Sequence, residues 1–254
     1  MTRFCLAACR LRWVRASVSA LVATSLIALP LQAAAQAAPS RHLAPGFSEL
    51  SKAARVVLMP IDVELFSLSA GGVAEPRADW TEAALRHMNA AMAAKTSALG
   101  LNATTMSEQA ADEFAEQVGL HAAVARSIAL HHGMGGPWAL PTKADRLDWS
   151  FDDGMKPLQE KTGARYALFV WVRDSYASAE RKAAMVAMAI IGAAFGAGII
   201  LAGGAQTGYA SLVDLETGRV VWFNRLARDK GDMREAPAAA ESIETLLTGF
   251  PTVR

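Results

Sequence analysis

Acidic residues are missing from the start of this sequence: no aspartate or glutamate precedes Glu49. The stretch instead begins with basic residues, namely Arg3, Arg10, Arg12 and Arg15. Residues 16–31 are almost wholly apolar, a run too short to span a bilayer comfortably, and small residues follow Pro30. This order of basic, apolar and small residues is typical of a secretory signal peptide. We therefore predict a signal peptide over residues 1–37, cleaved after Ala35 or Ala37, because an uncleaved amphipathic anchor leaves the small residues unexplained.

Cysteine is equally scarce, with only Cys5 and Cys9 in the whole sequence. Both lie within the predicted signal peptide, so we expect the exported chain to contain none. Such a chain forms no disulfide, has no thiolate nucleophile and offers no sulfur ligand to a metal. It also has no cysteine at the cleavage point to accept a lipid.

The motifs of familiar enzymes are missing as well. The glycines at 71–72 and 133–136 lack the Lys-Ser/Thr of a P-loop and the GxGxxG spacing, and neither GxSxG nor HExxH occurs. His131 and His132 are adjacent, and adjacent helical residues point about 100° apart, so one ion cannot easily bind both. We predict no catalytic residue, no cofactor and no metal site.

The charge of the sequence is close to balanced, with a formal net charge of +1. Loss of the signal peptide removes four arginines and no acid, which leaves a mildly acidic chain. Nucleic-acid-binding proteins usually present a basic surface, so we expect no nucleic acid as a partner. We predict a polar lead-in over residues 38–53 and a single domain over 54–254.

Apolar periodicity predicts an α/β domain in which helices pack on a mixed sheet, with the element order β-α-β-α-(α)-β-β-β-α. Residues 56–59 form a continuous apolar run, typical of a strand covered on both faces, and the alternation after Pro60 indicates that the strand continues or bends. Residues 164–174 are the strongest strand. Strands at 209–215 and 219–226 are predicted to form a hairpin around Gly218.

The predicted helices are marked by their first residues. Asp79 and Glu82 have capping-box spacing and begin a helix that stops at Gly100, before a short strand over 101–105. Thr105 and Glu108 repeat that spacing and begin a helix to about Leu130, whose inner face is marked by Phe114, Val118, Ala125 and Ile128. Short and final helices are expected near 158–161 and from Pro237.

An apolar, glycine-rich insertion lies at residues 183–205, directly after Arg181 and Lys182. Its length suits a membrane-inserting or membrane-resting segment. A buried helical hairpin that covers the sheet or a partner subunit, and a strand pair, are the alternatives. Close helix approach at a GxxxG spacing marks the contact residues, which we predict to be Gly192, Phe195, Gly196, Gly198 and Ile199.

A second candidate site is the Gly-, Pro- and Asp-rich loop at 133–157, together with the histidines before it. A hydrolase site or a ligand-binding wall here would use His132, Trp138, Trp149, Asp152 and Asp153. A polar helix end and a solvated acidic turn explain the same residues without any site.

Four stretches carry a resemblance to a known group of proteins: RVVLMPIDVELFSLSAGG, PRADWTEAA, ARYALFVWVRDSY and ASLVDLETGRVVWFNRL. They resemble uncharacterised exported Gram-negative envelope proteins, and the element order is similar to the α/β domain of the curli-secretion channel lipoprotein family. The resemblance covers most of residues 54–250 and implies an oligomeric, membrane-associated envelope protein. It carries no catalytic residue. The chain departs from that family in lacking the lipid-accepting cysteine and in having an insertion that is typical of a helix or a glycine-rich hairpin rather than of membrane-crossing strands.

These observations predict a non-catalytic component for binding or assembly, located in the periplasm or at the periplasmic face of the outer membrane of a Gram-negative bacterium. Its expected partner is a membrane or an envelope protein, with homo-oligomers possible. The alternative is a periplasmic hydrolase or ligand-binding module that uses residues 131–153.

Overall fold

The computed structural model describes residues 40–197 and 203–254. The predicted signal peptide, and with it Cys5 and Cys9, lies outside the described residues. The expectation of an α/β protein with a mixed sheet is confirmed.

Strands and helices alternate through most of the chain. The strands are β1 Glu49–Leu50, β2 Arg55–Leu58, β3 Asp62–Leu68, β4 Ala74–Pro76, β5 Asn102–Thr105, β6 Tyr166–Ala177, β7 Gln206–Asp214, β8 Val220–Arg228 and β9 Thr252–Val253. The helices are α1 Ala78–Ala98, α2 Glu108–Asp112, α3 Ala115–Ile128, α4 Lys156–Thr162, α5 Ala179–Ala194 and α6 Ala236–Leu246.

Strand β6 is the centre of the main sheet. Its first half pairs in parallel with β2 and its second half pairs in parallel with β3, while β7 runs antiparallel along the whole opposite edge. β2 and β3 therefore pair one after the other with the same side of β6, and Pro60 lies between them. The change in the apolar pattern at Pro60 predicts this interruption. Proline cannot donate a ladder hydrogen bond, which accounts for the break. β5 and β4 pair with β2 and β3, β8 pairs with β7, and β1 and β9 form a separate small parallel pair.

The sheet is covered on both faces, which explains the apolar runs in its strands. Leu168, Val170 and Val172 of β6 join one core with α1 and α6. Ala167 and Phe169 point to the other face and join a second core with α3, α4 and the loop before α4. The result is a three-layer arrangement in which β6 is buried along most of its length.

The predicted capping box at Asp79 is wrong. Helix α1 begins at Ala78, the residue before it is Arg77, and no side chain caps that end. Asp79 instead accepts hydrogen bonds from the Arg77 guanidinium at 2.9 and 3.1 Å. Thr81 takes a different role, since its Oγ1 accepts a hydrogen bond from the Leu65 amide of β3 at 2.9 Å.

The helix predicted from Thr105 to about Leu130 is divided and begins later. Thr105 still pairs with Leu58 in the sheet, and Ser107 is the cap, with its Oγ accepting from the Ala110 amide at 3.2 Å. Residues 113–114 interrupt the helix and separate α2 from α3. Phe114 is buried as expected, whereas Val118 is exposed and does not belong to the inner face.

The hairpin of β7 and β8 is confirmed, with Gly218 at φ +68° in its turn. A Cβ at this glycine would lie 2.1 Å from the Asp152 carbonyl oxygen, so the turn and the loop before α4 approach each other closely. The stretch 133–157 is less irregular than predicted. A π-helical turn covers Ala129–Met134, and short 3-10 turns follow.

Candidate functional site

The first candidate site is α5, the described helical part of the insertion at 183–205. The helix begins where β6 ends, and the Ser178 Oγ caps it by accepting a hydrogen bond from the Arg181 amide at 3.2 Å. Hydrogen bonds from its own amide and from Ser178 lower the pKa of the Glu180 carboxyl. No charged residue follows Lys182 in the helix.

Beyond Lys182, the side chains of α5 are apolar, and most of the large ones face solvent. Val186 is 61% exposed, Ile190 66% and Phe195 83%, and Met188 and Ile191 are also exposed. Only Gly192 is buried among the residues of this helix. An exposed apolar surface of this kind is one that soluble monomers usually avoid.

The predicted contact residues at α5 have different environments. Gly192 is buried, Phe195 is exposed directly after the last helical residue, and Gly196 ends the helix with φ +69°. Gly198 and Ile199 lie outside the described residues. The alternative in which residues 183–205 form a buried helical hairpin that covers the sheet of this chain disagrees with the exposure of α5.

Across residues 40–197 and 203–254, no helix is both long enough and apolar enough to cross a membrane.

The base of α5 is fixed to the end of the sheet. The Ser178 amide donates to the Leu68 carbonyl at 2.9 Å, and the Ala177 amide donates to the Gly203 carbonyl at 2.7 Å. The Arg181 Nη1 donates to the Ser69 carbonyl at 3.3 Å, which joins the helix to the turn between β3 and β4.

The second candidate site, the loop and its preceding histidines, places His132 in a small cleft. His132 is buried, and its Nε2 lies 2.7 Å from the Arg41 carbonyl oxygen. A carbonyl only accepts, so Nε2 donates this hydrogen bond, and the Nδ1 atom on the other side of the ring lies 3.9 Å from the Asp145 Oδ1. The cleft of about 230 Å³ is also lined by Arg41 and Arg225, and the Arg41 guanidinium is bonded to the Asp145 carboxylate at 3.0 Å.

The two tryptophans of the loop have different surroundings. Trp138 is exposed, and its carbonyl oxygen accepts a hydrogen bond from the His131 Nδ1 at 2.7 Å. Trp149 is half-buried, with the Lys143 ammonium 5.1 Å from its ring centroid. Neither side chain lines the cleft beside His132.

Asp152 and Asp153 lie apart from that cleft. Asp152 accepts a hydrogen bond from the Ser150 hydroxyl at 3.1 Å and has a left-handed φ of +48° beside the hairpin turn. Asp153 forms an exposed ion pair with Lys156 at 2.9 Å. Among the described residues, the structure therefore does not gather the loop residues into one catalytic arrangement.

The structure contains a polar network beside the base of α5 that the sequence analysis did not predict. The buried Asp174 carboxylate accepts hydrogen bonds from the Ser175 amide, the Gln206 amide group and the Tyr176 hydroxyl, at 2.7, 2.9 and 2.5 Å. The Ser242 hydroxyl of α6 donates a hydrogen bond to the side-chain oxygen Oε1 of Gln206 at 2.9 Å. Burial is the main cause that raises the pKa of both Asp174 and Tyr176.

This network lines one wall of a cleft of about 480 Å³ that also includes Lys230. Asp174 and Tyr176 lie two residues apart on β6, so their side chains share a face of the strand. This spacing was the only indication of the network in the sequence. Gln206 and Ser242 come from distant elements, which the sequence pattern does not bring together. Because the members of the network form hydrogen bonds with each other, they hold the end of β6 and the start of β7 against α6.

His121 is the other buried polar side chain of note. It stacks on Phe169 with the ring centroids 3.8 Å apart, and its Nε2 lies 2.6 Å from the Ser211 Oγ. Burial lowers the pKa of His121 to about 3, so it is a neutral member of the core. In the described part of the chain, no group of three or more His, Cys, Asp or Glu side chains has an arrangement suited to a metal ion.

No protein-family model matches this sequence, and no curated protein matches it. Among solved structures, the chain is similar to a PelC dodecamer from Paraburkholderia phytofirmans, with 12% identity, 81% of this chain and 92% of that chain covered, and a TM-score of 0.38. It is also similar to the lipoprotein GNA1162 from Neisseria meningitidis, with 14% identity, coverage of 78% and 99%, and a TM-score of 0.32.

A third similar structure is the LpoB C-terminal domain from Salmonella enterica, with 14% identity, coverage of 74% and 88%, and a TM-score of 0.26. At these identities and TM-scores, the similarities carry no argument about function, assembly or location. The resemblance to the curli-secretion channel lipoproteins stays a prediction.

Proposed function

We propose that this chain is an exported, non-catalytic protein of the Gram-negative cell envelope, a binding or assembly component that associates with a membrane or a subunit partner through residues 183–205. The observation that carries the proposal is the exposed apolar surface of α5. The structure describes 183–197 and 203–205 of this range.

Complete burial of one large apolar side chain contributes about 1.5–3 kcal/mol. Val186, Ile190, Ile191 and Phe195 together therefore supply several kcal/mol when a partner covers them, and they receive little of it within the described chain. Such a gain is large enough to offset part of the entropic cost of association.

Fractionation of cells that express the full chain tests this proposal. The test variant carries Val186→Ser, Ile190→Ser, Ile191→Ser and Phe195→Ser. The matched control carries Val118→Ser and Met134→Ser, which remove exposed apolar groups elsewhere on the surface. We expect the natural chain and the control to be found with membranes or in a larger complex, and the α5 variant to move to the soluble, monomeric fraction. A natural chain that is already soluble and monomeric contradicts the proposal.

A ligand-binding module is the second candidate, and one observation favours it: His132 and two arginines, Arg41 and Arg225, line the same cleft. Guanidinium groups suit an anionic ligand. Isothermal titration calorimetry with small carboxylates and phosphates, repeated on Arg225→Gln, tests this candidate. An unchanged signal at every concentration rejects it.

A further inference from the structure

The outer part of α5 is exposed on every side. Six consecutive residues, 186–191, are all exposed and all apolar. Successive helical residues are about 100° apart, so six of them cover the full circumference of the helix. The helix therefore projects from the body of the protein instead of lying on it with one face.

This geometry discriminates between kinds of partner. A groove on another protein, or the matching helix of a second copy, covers one face of a helix and leaves the opposite face in water. Lipid hydrocarbon surrounds a helix completely. A helix that is apolar all round is typical of a fully apolar environment.

Charged groups are placed only at the base of the helix. Arg181 and Lys182 are its last charged residues, and the next turns contain none. The turn between β3 and β4 lies against the same base, where the Arg181 Nη1 bonds the Ser69 carbonyl, and this turn presents another exposed apolar side chain, Val73. Basic side chains at the end of an apolar helix suit the anionic headgroup layer of a bilayer.

The length of the apolar part matches one leaflet. Residues 183–194 form 12 positions of helix, which extend about 18 Å at 1.5 Å per residue. The hydrocarbon core of a bilayer is about 30 Å thick, so this length reaches slightly beyond one leaflet.

The geometry points to α5 as a lipid anchor, in which the apolar residues from Ala183 to Phe195 enter one leaflet and Arg181 and Lys182 remain at the headgroups. This inference rests on the proposed function and names lipid hydrocarbon as the partner. The body of the protein then stays in water, with the turn that carries Val73 next to the membrane surface.

Depth measurement tests the anchor. Residues 38–254 form one compact unit that contains both hydrophobic cores and no cysteine, so a single cysteine takes an environment-sensitive fluorophore. The labelled variants are Phe195→Cys, Ile190→Cys and Lys182→Cys, with Ala98→Cys on the exposed end of α1 as control. Vesicles of phosphatidylcholine with phosphatidylglycerol carry quenchers at shallow or deep acyl positions.

We expect deep quenching at residue 195, weaker and shallower quenching at 182, and none at 98. A quencher confined to the vesicle interior should not reach residue 195. The one-leaflet anchor is overturned if the labels on α5 stay in water. It is also overturned if the quencher inside the vesicle quenches the label at residue 195. If α5 labels stay in water while the protein remains in the cellular membrane fraction, the proposed function survives with a protein partner.

A charge substitution provides an independent check. Ile190→Asp should weaken vesicle binding by roughly a hundredfold, because a carboxylate is costly in hydrocarbon. Ala98→Asp, exposed on α1, should leave binding unchanged. Circular dichroism verifies that both variants fold. Equal binding of the two variants overturns the anchor.

Discussion

The imidazole of His121 lies between α3 and the sheet, where it is 4% exposed and stacks on Phe169. Its pKa falls to about 3 because burial penalises the charged form. In the unfolded chain the same group has a pKa near the ordinary 6.5. The unfolded state therefore binds the proton first as the pH decreases, and folding stability decreases with it.

This difference predicts a pH dependence. The free energy of unfolding should decrease by up to about 1.4 kcal/mol per pH unit as the pH falls below 6.5, and the decrease should continue toward pH 3. Urea titrations between pH 7 and pH 5 measure it. His121→Gln, which keeps a polar group near Ser211 but does not titrate, should flatten the slope. An identical slope in the natural chain and His121→Gln contradicts the assignment.

Gly218 is the residue at which the hairpin turn meets the loop before α4. Its φ is +68°, and a Cβ on this residue would lie 2.1 Å from the Asp152 carbonyl oxygen, so there is no room for a side chain. We expect Gly218→Ala to lower the free energy of unfolding by roughly 2 kcal/mol or more. Gly71→Ala, with no atom within 4 Å of its Cβ position, is the control and should change it by less than about 0.5 kcal/mol. Thermal unfolding of both variants checks this, and equal effects refute it.

At the scale of elements, local patterns predicted the parts that local chemistry determines. Strand β6, the hairpin at Gly218 and helix α6, whose second residue is Pro237, follow from β-branched runs, a turn glycine and a proline in the first helical turn. The helix starts at Asp79 and Thr105 were predicted wrongly, and a local contact at Asp79 and a tertiary contact at Thr105 account for their observed roles. Arg77 binds Asp79, and the sheet keeps Thr105 as a strand residue.

The candidate sites were only partly predictable for the same reason. A run without charges identified the insertion at 183–205, but its sequence did not indicate that residues 186–191 of α5 are all exposed. The network of Asp174, Tyr176, Gln206 and Ser242 joins three elements that are far apart in the sequence. Pairing between distant side chains leaves no periodic pattern, so only Asp174 and Tyr176 gave a signal.

Helix α5 should contribute little to the stability of the fold, because its large side chains are outside both cores. We expect replacement of Val186, Ile190, Ile191 and Phe195 by serine to change the free energy of unfolding by less than about 0.5 kcal/mol per site, as for surface substitutions. Ile243→Ser, in the core face of α6, should cost about 2–5 kcal/mol. Denaturant titration compares them, and a large loss in the α5 variant would mean that this helix is part of the core.

At the scale of the whole molecule, the sheet is closed on both faces by its own helices, α1 and α6 on one side and α3 and α4 on the other. Of the ten large apolar residues exposed in the described chain, five lie on α5 or directly at its end: Val186, Met188, Ile190, Ile191 and Phe195. This concentration of exposed apolar side chains is the basis for proposing α5 as the surface through which the protein associates.

Hydrogen–deuterium exchange on the full chain, compared between its purified form and its form bound to native membranes, tests this claim most directly. The account predicts slower exchange over residues 186–195 in the bound form, with residues 131–153 and α1 unchanged. Exchange that stays the same in α5 while it slows over residues 131–153 would contradict it.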